Sequence, residues 1–175
     1  MQLLPHSGQA HPHVQGFELE AIRQADGALA LRYWLKADVR RWYVPKIKAP
    51  LRADGLWRHT CFEAFLAMPG SDAYCELNFS PSGEWAAYAF TGYRAGMAVL
   101  ELSAAPEAHW VRSDDSLELT VVLDPPAFFR DAHPLRLAAS AVLEAQSGTI
   151  SYWALRHPTG QPDFHHPESF AWLIP

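Results

Sequence analysis

Apolar and polar residues alternate with period two along most of this chain. In 28–36 (ALALRYWLK), Leu29, Leu31, Tyr33 and Leu35 fall on one face. Leu117, Leu119, Val121 and Leu123 do so in 116–123, and Leu135, Leu137, Ala139, Ala141 and Leu143 in 135–143. Side chains of a strand point alternately to its two faces, so these stretches predict half-buried antiparallel strands. Weaker alternation predicts further strands over 14–22, 57–67, 73–80, 84–91, 97–103, 108–113 and 149–155. Turn signals separate them: ADG (25–27), MPGSD (68–72), SPSG (80–83) and QSG (146–148). Only 126–132, after Asp124 and Pro125, reads as a short helix. About ten short strands at regular spacing predict an all-β class, a sandwich or a barrel. No repeat or low-complexity linker divides residues 1–175, which are expected to form a single domain behind a flexible N-terminal segment, 1–13.

The hairpin from LWRHTCFEAF (56–65) to YCELNFSPSGEWAAYAF (74–90) concentrates unusual side chains. With Met68 to Asp72 as the turn, Phe65 is expected opposite Tyr74, Glu63 opposite Glu76, and Cys61 opposite Asn78. Phe62, Ala64, Cys75, Leu77 and Phe79 then face the core. Cys61, Glu63, Phe65, Tyr74, Glu76 and Asn78 share the other face. Two carboxylates side by side on a sheet need a cation, a metal, a shared proton or open water. Arg94, Arg156, His59 and His157 are the candidate cations.

The same residues carry a resemblance. Leu56-Trp57, the Cys61-Phe62-Glu63 strand, the run from Tyr74 to Trp85 and the pair Tyr93-Arg94 resemble the bacterial DOMON-like group, which is similar in fold to the family-nine carbohydrate-binding modules. The tail SYWALRHPTGQPDFHH (151–166) extends the likeness from about residue 14 onward. Such proteins are β-sandwiches with a ligand site on a sheet face or its rim, so the resemblance implies an antiparallel two-sheet β-sandwich of jelly-roll or immunoglobulin-like architecture. Members of the wider superfamily bind sugars between aromatic planes, or bind haem. Three positions after the leading Trp, where the sugar-binding modules often have Asp, this chain has Thr60.

Composition and charge narrow the ligand. The chain has 22 aromatic residues, seven of them Trp, and a net charge of −5, which speaks against a general nucleic-acid binder. No apolar run is long enough to predict a membrane-spanning helix. With no secretory signal, Cys61 and Cys75 are expected as reduced thiols and the protein as cytoplasmic. Seven basic residues gather in 36–58 (Lys36, Arg40, Arg41, Lys46, Lys48, Arg52 and Arg58), a stretch expected to be an irregular, solvated connection.

A sugar presents apolar C–H faces to aromatic planes and hydroxyls to fixed polar groups. The expected function is therefore binding of a small molecule, a carbohydrate or carbohydrate derivative. Glu63, Glu76, Asn78, Arg94, Arg156 and His157 supply its polar shell, and Trp57, Trp85 and Trp153 its walls. The segment RHPTGQPDFHH (156–166) could form a further wall. No cofactor or metal is expected. His157, Asp163, His165 and His166 lack a recognised metal-ligand spacing, as do His6, His11 and His13. Three alternatives stand beside this reading: an enzyme using Glu63 and Glu76 as an acid–base pair, a haem binder ligated by Met97 and His157, and a protein-interaction module.

Overall fold

The computed structural model describes residues 1–6, 13–130 and 134–175. Twelve strands run through them: β1 (Leu4–Pro5), β2 (Val14–Arg23), β3 (Leu29–Ala37), β4 (Cys61–Ala67), β5 (Tyr74–Phe79), β6 (Trp85–Phe90), β7 (Ala98–Val99), β8 (Glu107–Arg112), β9 (Ser116–Leu123), β10 (Leu135–Glu144), β11 (Ile150–Ala154) and β12 (Trp172–Ile174). One helical turn, α1 (Ala127–Arg130), matches the start of the expected helix, and 131–132 lie outside the described residues.

The strands form two antiparallel sheets. The larger has the order β1-β11-β10-β4-β5-β6-β7, with β12 alongside the first half of β10, and the smaller has the order β2-β3-β9-β8. Each of the four turn signals closes a bend, as in Gly27 N–H to Gln24 O (3.0 Å) and Gly83 N–H to Ser80 O (2.9 Å). The alternating apolar sets of β3, β9 and β10 meet between the sheets with Phe17, Leu19, Phe62, Leu66, Leu77 and Phe79. Phe62 sits at the centre of this layer, its ring 5.1 Å from Phe17, 5.4 Å from Tyr33 and 5.0 Å from Trp110. The architecture is thus an all-β sandwich, one of the two arrangements that the alternation allows.

Several details differ. The strand expected over 57–67 begins at Cys61, because residues Leu56–Arg58 form a 3-10 turn entered through Gly55 at φ 75°. The strand expected over 97–103 shrinks to Ala98–Val99. Short strands β1 and β12 carry too few residues to show alternation. Gln2 bridges Glu18, Leu3 is buried, and Leu4–Pro5 pair with β11, so residues 2–6 of the expected N-terminal segment lie against the sandwich.

The central hairpin is displaced by two residues from the expected register. Ala67 pairs with Tyr74, Phe65 with Glu76, and Glu63 with Asn78. β4 continues to Ala67, and the bend uses 68–73, with Gly70 at φ 74°. A shift of two keeps every side chain on its face. It also replaces a carboxylate by an amide opposite Glu63, and so avoids two like charges in direct opposition.

Candidate functional site

β4 and β5 are buried on both faces. The inner face meets the smaller sheet. The outer face meets a cover made from the 3-10 turn at 56–58, the bend after β6 and the irregular segment after β11, with Leu56, Phe164 and Phe170 packed on Phe65, Tyr74, Tyr88 and Phe90. The cover does not fill the space beneath it. A cavity of about 360 Å³ remains, lined by Trp57, Phe90, Tyr152 and Phe164 as aromatic walls, with Glu63, Glu76, Arg94 and His165 as polar groups. Met97, Val142 and Pro162 complete the lining.

Glu63 and Glu76 form its floor, 3% and 6% exposed. In the observed register they are diagonal neighbours on adjacent strands. Ser140 Oγ donates to Glu63 Oε2 (3.0 Å), and Asn78 Nδ2 donates to Glu76 Oε1 (2.7 Å). Burial raises the pKa of both, and for Glu63 the neighbouring Glu76 carboxylate raises it further.

His165 stands over this floor. Its ring is boxed by Phe65, Tyr74 and Phe90 at centroid distances of 5.2, 5.8 and 5.1 Å. Arg94 N–H donates to Tyr74 Oη (3.2 Å), and the same hydroxyl is hydrogen-bonded to His165 Nδ1 (2.8 Å). The other ring nitrogen, Nε2, lies 3.8 Å from Glu76 Oε2. Burial, then the nearby Arg94 guanidinium, push the His165 pKa down to about 4, so the ring is neutral at physiological pH.

The cover is latched at Asp163. It accepts from Arg94 Nη2 (2.8 Å), from the Tyr93 hydroxyl and from the His165 backbone N–H (3.1 Å). These contacts hold the Asp163 pKa below its ordinary value even though burial acts the other way. Arg94 reaches this position through a left-handed backbone, φ 51°, the one such value among the described non-glycine residues. The bend tightens at Gly96, where a Cβ would collide with the Thr91 side chain.

Of the residues expected at the site, the structure brings together Trp57, Glu63, Glu76 and Arg94, with Asn78 beneath the cavity. It does not bring the others. Trp153 lies between the sheets, 5.9 Å from Phe17, with its Nε1–H on Ser151 Oγ (3.1 Å). Trp85 pairs with Phe79 and packs on the same inner layer. Arg156 is exposed and away from the lining. His157 is tied to Leu4 O (2.9 Å), with its ring 5.1 Å from His6 and 6.2 Å from Phe164, one layer behind the cavity wall. Met97 lines the cavity and His157 does not, so the two do not face one haem-sized space. Thr60 holds the cover's entry, donating to Tyr43 O (2.5 Å) and accepting from Glu144 N–H (3.2 Å).

Sequence reasoning did not single out Tyr152, Phe164 or Ser140. Alternation would have supplied the first: with Trp153 inward, Tyr152 must point outward. It would equally have turned Trp85 inward, since the SPSG bend sets it opposite the core residue Phe79. Among the described residues, no three His, Cys, Asp or Glu side chains gather as a metal site. Nor is any described helix long and apolar enough to cross a membrane.

No family model matches the chain, and no curated protein matches it by sequence. Solved structures do resemble it. A proposed carbohydrate-binding protein from Bacteroides uniformis is 16% identical with a TM-score of 0.61, covering 99% of this chain and 83% of its own. A family-nine carbohydrate-binding module from Caldicellulosiruptor kristjanssonii, solved with glucose, is 11% identical with a TM-score of 0.47, covering 87% and 72%. The first of these likenesses places the chain in a known sandwich fold.

Proposed function

We propose that this protein binds a small carbohydrate or carbohydrate derivative in the cavity on the outer face of its larger sheet. One observation carries the reading: aromatic walls and buried, only partly satisfied carboxylates meet in a single cavity of about 360 Å³. A sugar ring needs both surfaces at once, apolar planes for its C–H face and fixed acceptors for its hydroxyls. Glu63 and Glu76 accept those hydroxyls, Asn78 and Ser140 orient them, Arg94 donates, and Trp57 offers a plane. The resemblance to DOMON-like proteins and family-nine modules supports it, as does the fold shared with the Bacteroides uniformis protein. Buried free thiols at Cys61 and Cys75 suit a reducing compartment, and a cytoplasmic location belongs to the same reading.

Calorimetric titration with a panel of mono- and oligosaccharides tests it. Saturable binding is expected, weakened by about tenfold or more in Trp57→Ala with an unchanged circular dichroism spectrum. A flat response across the panel overturns the proposal. A second reading, an acid–base enzyme, is favoured by the Glu63 pKa, pushed up to about 8 beside a second carboxylate. It predicts turnover of a sugar-like substrate that Glu63→Gln abolishes in a folded protein, and binding without turnover would rule it out.

A further inference from the structure

Several carboxylates nearer the surface have basic partners: Asp38 with Arg40, Glu84 with Lys48, Asp54 with Arg52, Glu118 with Arg32, Asp163 with Arg94, and Glu144 with His59. The two most deeply buried, Glu63 and Glu76, have only neutral donors, the Ser140 hydroxyl and the Asn78 amide. Each keeps one carboxylate oxygen without a hydrogen bond among the described residues. Glu63 is nine-tenths buried and more, and it lines the cavity.

Two basic groups lie near the pair without a hydrogen bond to it. The Arg94 guanidinium favours the ionised form of both glutamates from a distance, and its own hydrogen bond goes to Asp163 at 2.8 Å. The His165 imidazole nitrogen stays 3.8 Å from Glu76, boxed by three aromatic rings and held neutral by burial and the nearby Arg94 guanidinium. Buried charge without a bonded counter-charge is costly, and a closed structural network would bond its own cation directly. The pair faces instead a cavity whose lining sets Trp57, Phe90, Tyr152 and Phe164 beside Arg94 and His165, and aromatic rings attract cations through their negative faces.

We infer that the ligand of this cavity carries a protonated amine, which supplies the missing positive charge between Glu63 and Glu76. The inference rests on the binding reading above, and together they name amino sugars as the ligand class. The ammonium N–H groups would donate to the two free carboxylate oxygens, and the rest of the molecule would lie against the aromatic walls. Raised pKa values at both glutamates agree with this: without the amine, the pair lowers its own charge by holding a proton.

The test compares glucosamine, glucose, N-acetylglucosamine and cyclohexylamine by calorimetry at neutral pH on the whole protein. Glucosamine is expected to bind at least about tenfold more tightly than glucose or N-acetylglucosamine. That ratio should collapse toward one in Glu63→Gln/Glu76→Gln, whose folding is checked by circular dichroism. Equal or tighter binding of glucose overturns the amine inference and leaves the sugar reading standing. Binding of cyclohexylamine with no sugar bound keeps the amine inference and removes the sugar reading. If no probe binds, both fall. A preference for glucosamine that survives in the double variant places the amine elsewhere and overturns the assignment to this pair.

Discussion

The two faces of the larger sheet are buried to a similar degree and do opposite work. Inward, β4 and β5 present Phe62, Ala64, Leu66, Cys75, Leu77 and Phe79 to a second sheet whose strands have matching apolar stripes. Outward, they present Glu63, Phe65, Tyr74, Glu76 and Asn78 to a cover of loops and short 3-10 turns. A sheet packs on a sheet with continuous complementarity. Irregular chain cannot follow a pleated surface so closely, and the mismatch leaves the cavity where the polar residues lie. Burial alone therefore does not separate core from site here. What separates them is the kind of layer that does the burying.

The largest expected effect breaks the inner face. Phe62→Ala removes a ring in contact with Phe17, Tyr33 and Trp110, and should destabilise the protein by about 3–5 kcal/mol in urea denaturation. A loss below about 1 kcal/mol would mean that the sheets close over the gap, contrary to a tightly packed interior.

A smaller effect sharpens the outer face through pH. Between its ordinary pKa of 4.5 and its folded value of about 8, Glu63 holds a proton that the unfolded chain has released. Its stabilising contribution is full below the ordinary carboxylate range and is lost as pH rises through about 8. His165 acts in the other direction: its contribution is full above 6.5 and is lost as pH falls toward about 4. Unfolding curves should thus show stability declining from neutral to mildly alkaline pH. Glu63→Gln should reduce that decline to the share carried by Glu76 and gain on the order of 2 kcal/mol at its alkaline end. A wild-type curve flat across this range would show the pair to be neutralised by some other means.

How much of this comparison is visible in the sequence follows from where period two operates. Strands longer than about five residues declare their two faces by alternation, so the core set and the polar set of the hairpin are both legible. Register is less so, because a slip of two residues preserves the faces, and only the length of the 68–73 bend separates the alternatives. The cover has no period at all. His165 and Phe164 lie in a stretch whose order comes from Asp163, a residue whose partners, Tyr93 and Arg94, are about seventy positions away. Trp85 and Trp153 show the opposite case, in which residue type and parity disagree and parity decides. Both are aromatic and both belong to the resembling segments, yet alternation sends them inward.

The smallest expected effect concerns the latch that holds the outer layer in place. Arg94 adopts φ 51°, a conformation that costs a residue bearing a Cβ about 1 kcal/mol or more and glycine almost nothing. Its ion pair with Asp163 is half exposed on the arginine side and is worth about 0–1 kcal/mol. Arg94→Gly loses the pair and relieves the backbone, and it keeps the N–H that binds the Tyr74 hydroxyl, so its stability should stay within about 1 kcal/mol of the parent. Arg94→Ala loses the pair and keeps the strain, and should be the less stable of the two by about 1 kcal/mol. Both remove the guanidinium from the cavity and should change ligand binding alike. Equal stability of the two variants would show that the bend relaxes once the side chain is gone, and that the left-handed turn is imposed by the latch. The predicted gap would show that the bend holds its shape unaided and sets Arg94 in position for Asp163.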